Sequence, residues 1–196
     1  MALDNNYYRD NSDLKSQIQY FDYKFDSLDF KFKTDSGVFA KSYVDYATEI
    51  LLKNAQISQK STVLDVGCGY GVIGIVLAKK DMCIVDMVDI NERAISLAKE
   101  NSTQNNVTTY VYKSDCLDNV KGKYDFIISN PPIRAGKNVI YKIYEQAKEH
   151  LNEGGSFYIV IQKKHGAPST FEKLKTIYEK VDVVYKKKGY FVIKSS

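Results

Sequence analysis

Cysteine, histidine and proline are scarce in this 196-residue chain, at three, two and three copies. The cysteines, Cys68, Cys83 and Cys116, are odd in number and widely spaced, which fits neither a disulfide framework nor a thiolate metal site. His150 and His165 stand apart without ligand spacing, so no metal is expected. No stretch approaches the roughly 18 apolar residues that a membrane helix needs. The start, Met1-Ala2-Leu3-Asp4-Asn5-Asn6, lacks the basic and apolar regions of a secretion signal. A cytoplasmic protein without a membrane partner is the expectation. Charge is not strongly of one sign either: 28 basic against 24 acidic residues leave +4, which permits nucleic-acid binding without demanding it. Apolar side chains, 44% of the chain, suffice for one domain with a full core.

Two of the three prolines are adjacent, in Asp125-Phe126-Ile127-Ile128-Ser129-Asn130-Pro131-Pro132-Ile133. Phe126-Ile127-Ile128 has the continuous apolar character of a buried parallel strand. The prolines then impose a stiff, extended segment whose carbonyls stay free. One reading is a proline turn after a strand. The other is a clamp in which the Asn130 amide and free carbonyls accept hydrogen bonds from a ligand's NH2 group, in the crevice where open α/β sheets bind ligands.

The rest of the chain supplies the sheet. Residues 1–17 carry no sustained period; Tyr7-Tyr8-Arg9 is an aromatic-basic cluster in a frayed terminus or a base-stacking site. Apolar residues alternate at Phe21, Tyr23 and Phe25 and again at Leu28, Phe30 and Phe32, which predicts a hairpin around Asp26-Ser27 that covers the main sheet or the site. Helical periods run over 41–54, 72–80, 91–104, 138–151 and 168–180, and strands over 63–66, 84–89, 107–112, 124–129 and 156–162. Gly154-Gly155 reads as a turn. A last hairpin, 181–185 with 190–193, turns at Lys187-Lys188-Gly189. The pattern predicts an α/β fold: a Rossmann-like, doubly wound, mostly parallel seven-stranded sheet with an antiparallel strand from the C-terminal hairpin. Residues 1–35 form an N-terminal extension and 36–196 the main domain.

Asp65-Val66-Gly67-Cys68-Gly69-Tyr70-Gly71 marks the first strand-to-helix turn. Gly69, Gly71 and Gly74 match a dinucleotide fingerprint, but the match is weak alone. Asp65 lies within the preceding strand, where it can meet an ammonium group rather than a pyrophosphate. Asp89 ends the second strand and can accept both hydroxyls of a ribose. Asp115 follows the third and can accept from an adenine amino group. Each alone could be a solvated strand end; together with Asn130 they occupy the carboxyl ends of four successive strands.

With these motifs the chain resembles class I S-adenosylmethionine-dependent methyltransferases over roughly residues 36–196. More narrowly it is similar to the ribosomal small-subunit methyltransferase C group. The features are Ser36-Gly37-Val38-Phe39-Ala40 before a helix with Val44-Asp45, then Val63-Leu64-Asp65-Val66-Gly67-Cys68-Gly69, then Ile127-Ile128-Ser129-Asn130-Pro131-Pro132, and the ending Gly189-Tyr190-Phe191-Val192-Ile193. The resemblance implies S-adenosylmethionine as cofactor, held by Asp65, Gly67, Cys68, Gly69, Asp89, Ile90, Asp115, Cys116 and Asn130. It implies methyl transfer to an exocyclic amine at Asn130, Pro131 and Pro132, with guanine N2 of small-subunit rRNA as target and rRNA or the small subunit as partner. Ile133, Arg134, Lys137, Gly37 and Phe39 would meet the substrate. Larger members of the group carry a second, degenerate methyltransferase-like domain at the N-terminus; here about 35 residues stand in its place. Ile133 stands where amino-methylating enzymes often have an aromatic, which leaves the base open to adenine N6; a protein glutamine is a further alternative, although the glutamine enzymes usually show the aromatic that Ile133 lacks. A non-catalytic RNA-binding module is the alternative of another class. Lys163-Lys164-His165 is expected on the site's rim, and Lys186-Lys187-Lys188 on the far side as a solvated turn.

Overall fold

The structure, a computed structural model, describes residues 15–38 and 43–196. In chain order the elements are β1 (Gln19–Phe25), β2 (Leu28–Thr34), α1 (Tyr46–Asn54), β3 (Thr62–Val66), α2 (Val72–Lys80), β4 (Ile84–Asp89), α3 (Glu92–Gln104), β5 (Thr109–Lys113), β6 (Tyr124–Ser129), α4 (Lys137–Glu149), β7 (Leu151–Gln162), α5 (Ala167–Lys175), β8 (Val181–Lys187) and β9 (Tyr190–Ser195). Strands β3 to β9 form one seven-stranded sheet in the order β5-β4-β3-β6-β7-β9-β8. The pairs among β5, β4, β3, β6 and β7 are parallel, and β9 runs antiparallel between β7 and β8. This is the doubly wound Rossmann-like sheet the alternating pattern predicts.

The core explains the layers. Val63 and Val85 on one face of the sheet pack with α1, α2 and α3 side chains, while Leu64, Ile127 and Phe157 on the other pack with Ile143 and Tyr144 of α4 and Leu174 of α5. Strands buried on both faces must be apolar at successive positions, which is why β3, β6 and the second half of β7 show no alternation.

The β1–β2 hairpin forms its own two-stranded sheet, with Phe25 opposite Leu28 and Asp26 at φ 52° in the turn. It does not lie on the main sheet but docks on α3. Asn101 and Asn105, one turn apart, pair their amides with the open edge of β2. Lys33 and Lys31 donate their N–H to the Oδ1 atoms at 2.7 and 3.0 Å, and the Nδ2 atoms return bonds to the same residues' carbonyls at 2.9 and 2.8 Å. Two side-chain amides thus replace a missing strand and satisfy an edge that would otherwise pair promiscuously.

Several boundaries depart from the sequence reading. α1 starts at Tyr46, because Asp45 caps it by accepting the Ala47 N–H at 3.0 Å. Strand β5 begins at Thr109, and α4 stops at Glu149 because β7 already begins at Leu151. The Gly154-Gly155 pair is an irregularity inside β7 rather than a turn before it; Gly154 takes φ 73° and the register against β6 shifts there. α5 ends at Lys175, after which Tyr178 donates its hydroxyl to the Tyr144 carbonyl at 2.9 Å. Among the described residues no helix is long and apolar enough to cross a membrane.

Candidate active site

The carboxyl ends of β3, β4 and β6, with the turn after β5, meet at one cavity of about 710 Å³. This is the topological switch point, where β3 is flanked by β4 on one side and β6 on the other and the chain reverses its winding. Its wall includes Gly67, Cys68, Gly69, Asp89, Ile90, Asp115, Cys116, Asn130, Pro131, Pro132, Ile133 and Arg134, so most of the residues that the sequence motifs select converge.

The glycine turn is pinned before any ligand arrives. The Gly67 and Cys68 N–H groups both donate to the Val88 carbonyl, at 2.9 and 3.0 Å, and Gly71 at φ +95° opens α2. That φ is in the left-handed region, where a side chain is strained. A Cβ on Gly69 would meet nothing within 4 Å, so its backbone faces open space. Asp89 crosses from β4, with Oδ2 accepting the Gly69 N–H and Oδ1 the Asn91 N–H, both at 2.9 Å. Burial raises the Asp89 carboxyl, and these backbone donors offset part of that rise. A carboxylate has about four acceptor sites, so these backbone donors leave capacity for a ribose hydroxyl.

Asp65 is placed differently from the expectation. It is fully buried, is not in the cavity wall, and accepts the Gly74 N–H of α2 at 3.1 Å through Oδ2. Burial pushes its carboxyl up to about 7, against the pull of the Gly74 N–H and with the Asp89 charge adding to the rise. Its Oδ1 has no partner among the described residues. An orphaned buried carboxylate oxygen behind an open glycine turn, with a two-acceptor carboxylate beside it, fits a nucleoside carrying a cationic amino-acid arm.

Asn130 sits half-buried at the end of β6. Its Nδ2 donates to Asp45 Oδ2 at 3.3 Å and to Thr48 Oγ1 at 3.0 Å. Ionised, Asp45 can only accept, so the amide must turn its NH2 toward α1 and leave Oδ1 as a free acceptor. The strand end is fixed as well: Ser129 Oγ donates to the Val66 carbonyl at 2.7 Å, tying the Asn-Pro-Pro segment to β3. One expectation needs correction: not all carbonyls stay free, because Ala135 N–H bonds to the Pro132 carbonyl at 2.9 Å as the chain enters a 3-10 turn at Ile133–Ala135. Pro131 keeps its carbonyl without a partner among the described residues. Asp45 and Thr48 both line the cavity, and the sequence motifs do not single them out as site residues. The Val44-Asp45 pair before an apolar period is the available signal.

Both thiols in the wall are held toward the protonated form. Burial pushes the Cys68 thiol well up, and burial with the neighbouring Asp115 pushes Cys116 up to about 12. Lys164 and His165 reach the wall, whereas Lys137 opens α4 outside it. Gly37 is outside the wall too; its carbonyl accepts from Asn91 Nδ2 at 3.0 Å, which places its neighbour Val38 over the cavity. Phe39 and the Tyr7-Tyr8-Arg9 cluster lie outside the described residues. The Lys186–188 turn is not on the far side. Because β9 runs antiparallel to β7, with Gln162 opposite Tyr190, the β8–β9 turn falls at the carboxyl end of β7, on the cavity's own rim.

Comparison with known proteins gives the same picture. The sequence pattern of the methyltransferase small domain family matches residues 29–194. The Bacillus subtilis protein YbxB is 45% identical over 98% of both chains. A ribosomal RNA small subunit methyltransferase C of Haemophilus influenzae is 40% identical over 63% of this chain, and the match spans only 39% of that protein's length. A Thermus thermophilus 16S rRNA N2 methyltransferase, solved with AdoMet and guanosine, superposes at TM-score 0.84 over 93% of this chain and 51% of its own. At 22% identity it supports the fold alone.

Proposed function

The chain belongs to the methyltransferase small domain family, and from that premise we propose that it transfers a methyl group from S-adenosylmethionine to the N2 amine of a guanine in small-subunit rRNA. The observation that carries this reading is the Asn130 amide in the cavity wall: its NH2 is held by Asp45 and Thr48, so its oxygen is left to accept, beside the Pro131 carbonyl. Two acceptors on a rigid segment suit an NH2 group, which has two hydrogens to donate. The likeness to methyltransferase C proteins supports an rRNA guanine as the bearer of that amine.

When bound, S-adenosylmethionine supplies an electrophilic methyl on a positively charged sulfur. Asp89 would hold its ribose, Asp115 its adenine amine, and the Gly67–Gly69 backbone its amino-acid arm. Asn130 and Pro131 accept both hydrogens of the target amine and so aim its lone pair, which is otherwise delocalised into the ring. Positioning and fixed dipoles supply the catalysis. No group in the wall need remove a proton before transfer. Ile133 packs on the base, which enters unpaired or flipped.

Replacing Asn130 with Ala tests this directly. The variant is expected to bind S-adenosylmethionine in calorimetry like the parent and to lose on the order of 10²-fold in kcat on rRNA. Parental kcat would remove the clamp from the mechanism.

A further inference from the structure

The Lys186-Lys187-Lys188 run and the Lys163-Lys164 pair, far apart in sequence, are brought together at one corner of the cavity mouth. The Lys163 N–H donates to the Gly189 carbonyl at 2.7 Å, stitching the end of β7 to the β8–β9 turn. That turn is a two-residue loop with Lys188 at φ 50° and Gly189 at φ 78°, the primed geometry that keeps a hairpin tight. Among the described residues none of the five ammonium groups has a carboxylate partner. The start of α1 stands beside them. The Tyr46 ring lies edge-on to Tyr190 at 5.2 Å, and Lys188 Nζ is 5.9 Å from the Tyr46 centroid. Tyr190 and Asp45 line the cavity, so this ledge begins where the Asn130 anchor ends. Tyr46, packed against the lining residue Tyr190, is 36% exposed, and Tyr43, three residues before it, is 63% exposed.

We propose that this ledge is the docking track for the RNA strand adjoining the target nucleotide, with phosphates on Lys163, Lys164, Lys187 and Lys188 and one base stacked on Tyr46. Cations interleaved with exposed aromatic faces are what a single-stranded nucleic acid needs, because the charges follow the backbone and every base has a face to stack. An acidic protein segment would use the cations and leave the rings idle. The inference rests on the RNA-modifying reading above, but concerns a surface that holds no reacting atom.

The test measures anisotropy of a labelled, mixed-sequence single-stranded RNA 12-mer with the full chain. The triple variant Lys186→Ala/Lys187→Ala/Lys188→Ala is expected to bind at least about ten-fold more weakly near 0.1 M salt. Its log–log salt slope should fall by about 0.7 for each phosphate that the variant no longer neutralises. Tyr46→Ala should lose about ten-fold while Tyr46→Phe keeps parental affinity, in the range of one stacked base. Lys121→Ala/Lys123→Ala, at the opposite end of the sheet, removes two charges and should change little. Unaltered affinity and slope in the triple variant would overturn the track. So would a parent that ignores the RNA, or variants that lose only polyglutamate binding. A parent that binds RNA through this ledge yet transfers no methyl to any RNA would instead sink the proposed reaction and leave the track standing.

Discussion

Replacing Asp45 with Asn isolates the anchor that would orient the Asn130 amide proposed to act on the substrate. Asn is as good an N-cap as Asp, so α1 keeps its first turn and the fold its stability. What changes is the partner of Asn130. An acceptor-only carboxylate becomes an amide that can present either end, so the Asn130 NH2 is no longer held to one partner and its oxygen is no longer kept free. A hydrogen bond to a charged group contributes about 1.5–3 kcal/mol. The Nδ2–Oδ2 distance of 3.3 Å is long, which argues for the low end. About 1.5 kcal/mol is a roughly ten-fold fall in kcat. Thr48→Val, nearly isosteric at a buried position, removes the 3.0 Å bond and should cost a further few-fold. Steady-state kinetics on rRNA, alongside calorimetry with S-adenosylmethionine, separate the outcomes. The expected result is lower kcat with parental cofactor affinity. An unchanged kcat in the Asp45→Asn, Thr48→Val double variant would refute the orientation argument, and an equal loss of cofactor affinity would reassign both residues to the cofactor.

Asp89→Ala should weaken S-adenosylmethionine binding at least ten-fold in calorimetry, since it removes the carboxylate proposed to accept the ribose hydroxyls and frees the Gly69 and Asn91 amides. Gly71→Ala should lower the urea midpoint, because its Cβ would meet Ile75 Cδ1 at 3.0 Å and Ala98 Cβ at 3.2 Å on a backbone at φ +95°; strain of this kind costs about 1–3 kcal/mol. Asp65 carries a stability cost that depends on pH. With its folded pKa raised to about 7, the native state holds a proton that the unfolded chain has lost. Stability from this group is therefore complete below pH ~4 and declines toward pH ~7, by up to about 1.4 kcal/mol per pH unit. Asp65→Asn should flatten that decline in urea titrations at pH 5 and 7.5, and an identical slope in the variant would show that Asp65 is ionised throughout.

The parallel strands and the convergence of the motif residues at their ends were legible because buried parallel strands need continuous apolar runs and the crevice lies at fixed strand ends. Boundaries were less legible where two physical causes share one signal. Tyr43 and Val44 continue the helical period of α1, yet the Asp45 cap sets its start. Ile177 and Tyr178 continue the period of α5, yet Tyr178 is recruited to the Tyr144 carbonyl instead. Glycines mark both turns and bulges, and in sequence alone Gly154-Gly155 reads as the commoner of the two. The Asn130–Asp45 bond joins residues 85 apart, and no local pattern encodes it. The side on which the lysine turn falls follows from β9 pairing with β7, a property of strand order rather than of the turn's own residues.

The most direct test of the central claim follows tritiated methyl from S-adenosylmethionine into naked small-subunit rRNA, assembled small subunits and total protein, with digestion to nucleosides. The account predicts label in N2-methylguanosine from the RNA, and none with Asn130→Ala. Label in N6-methyladenosine or in protein glutamine, or equal labelling by Asn130→Ala, would contradict it.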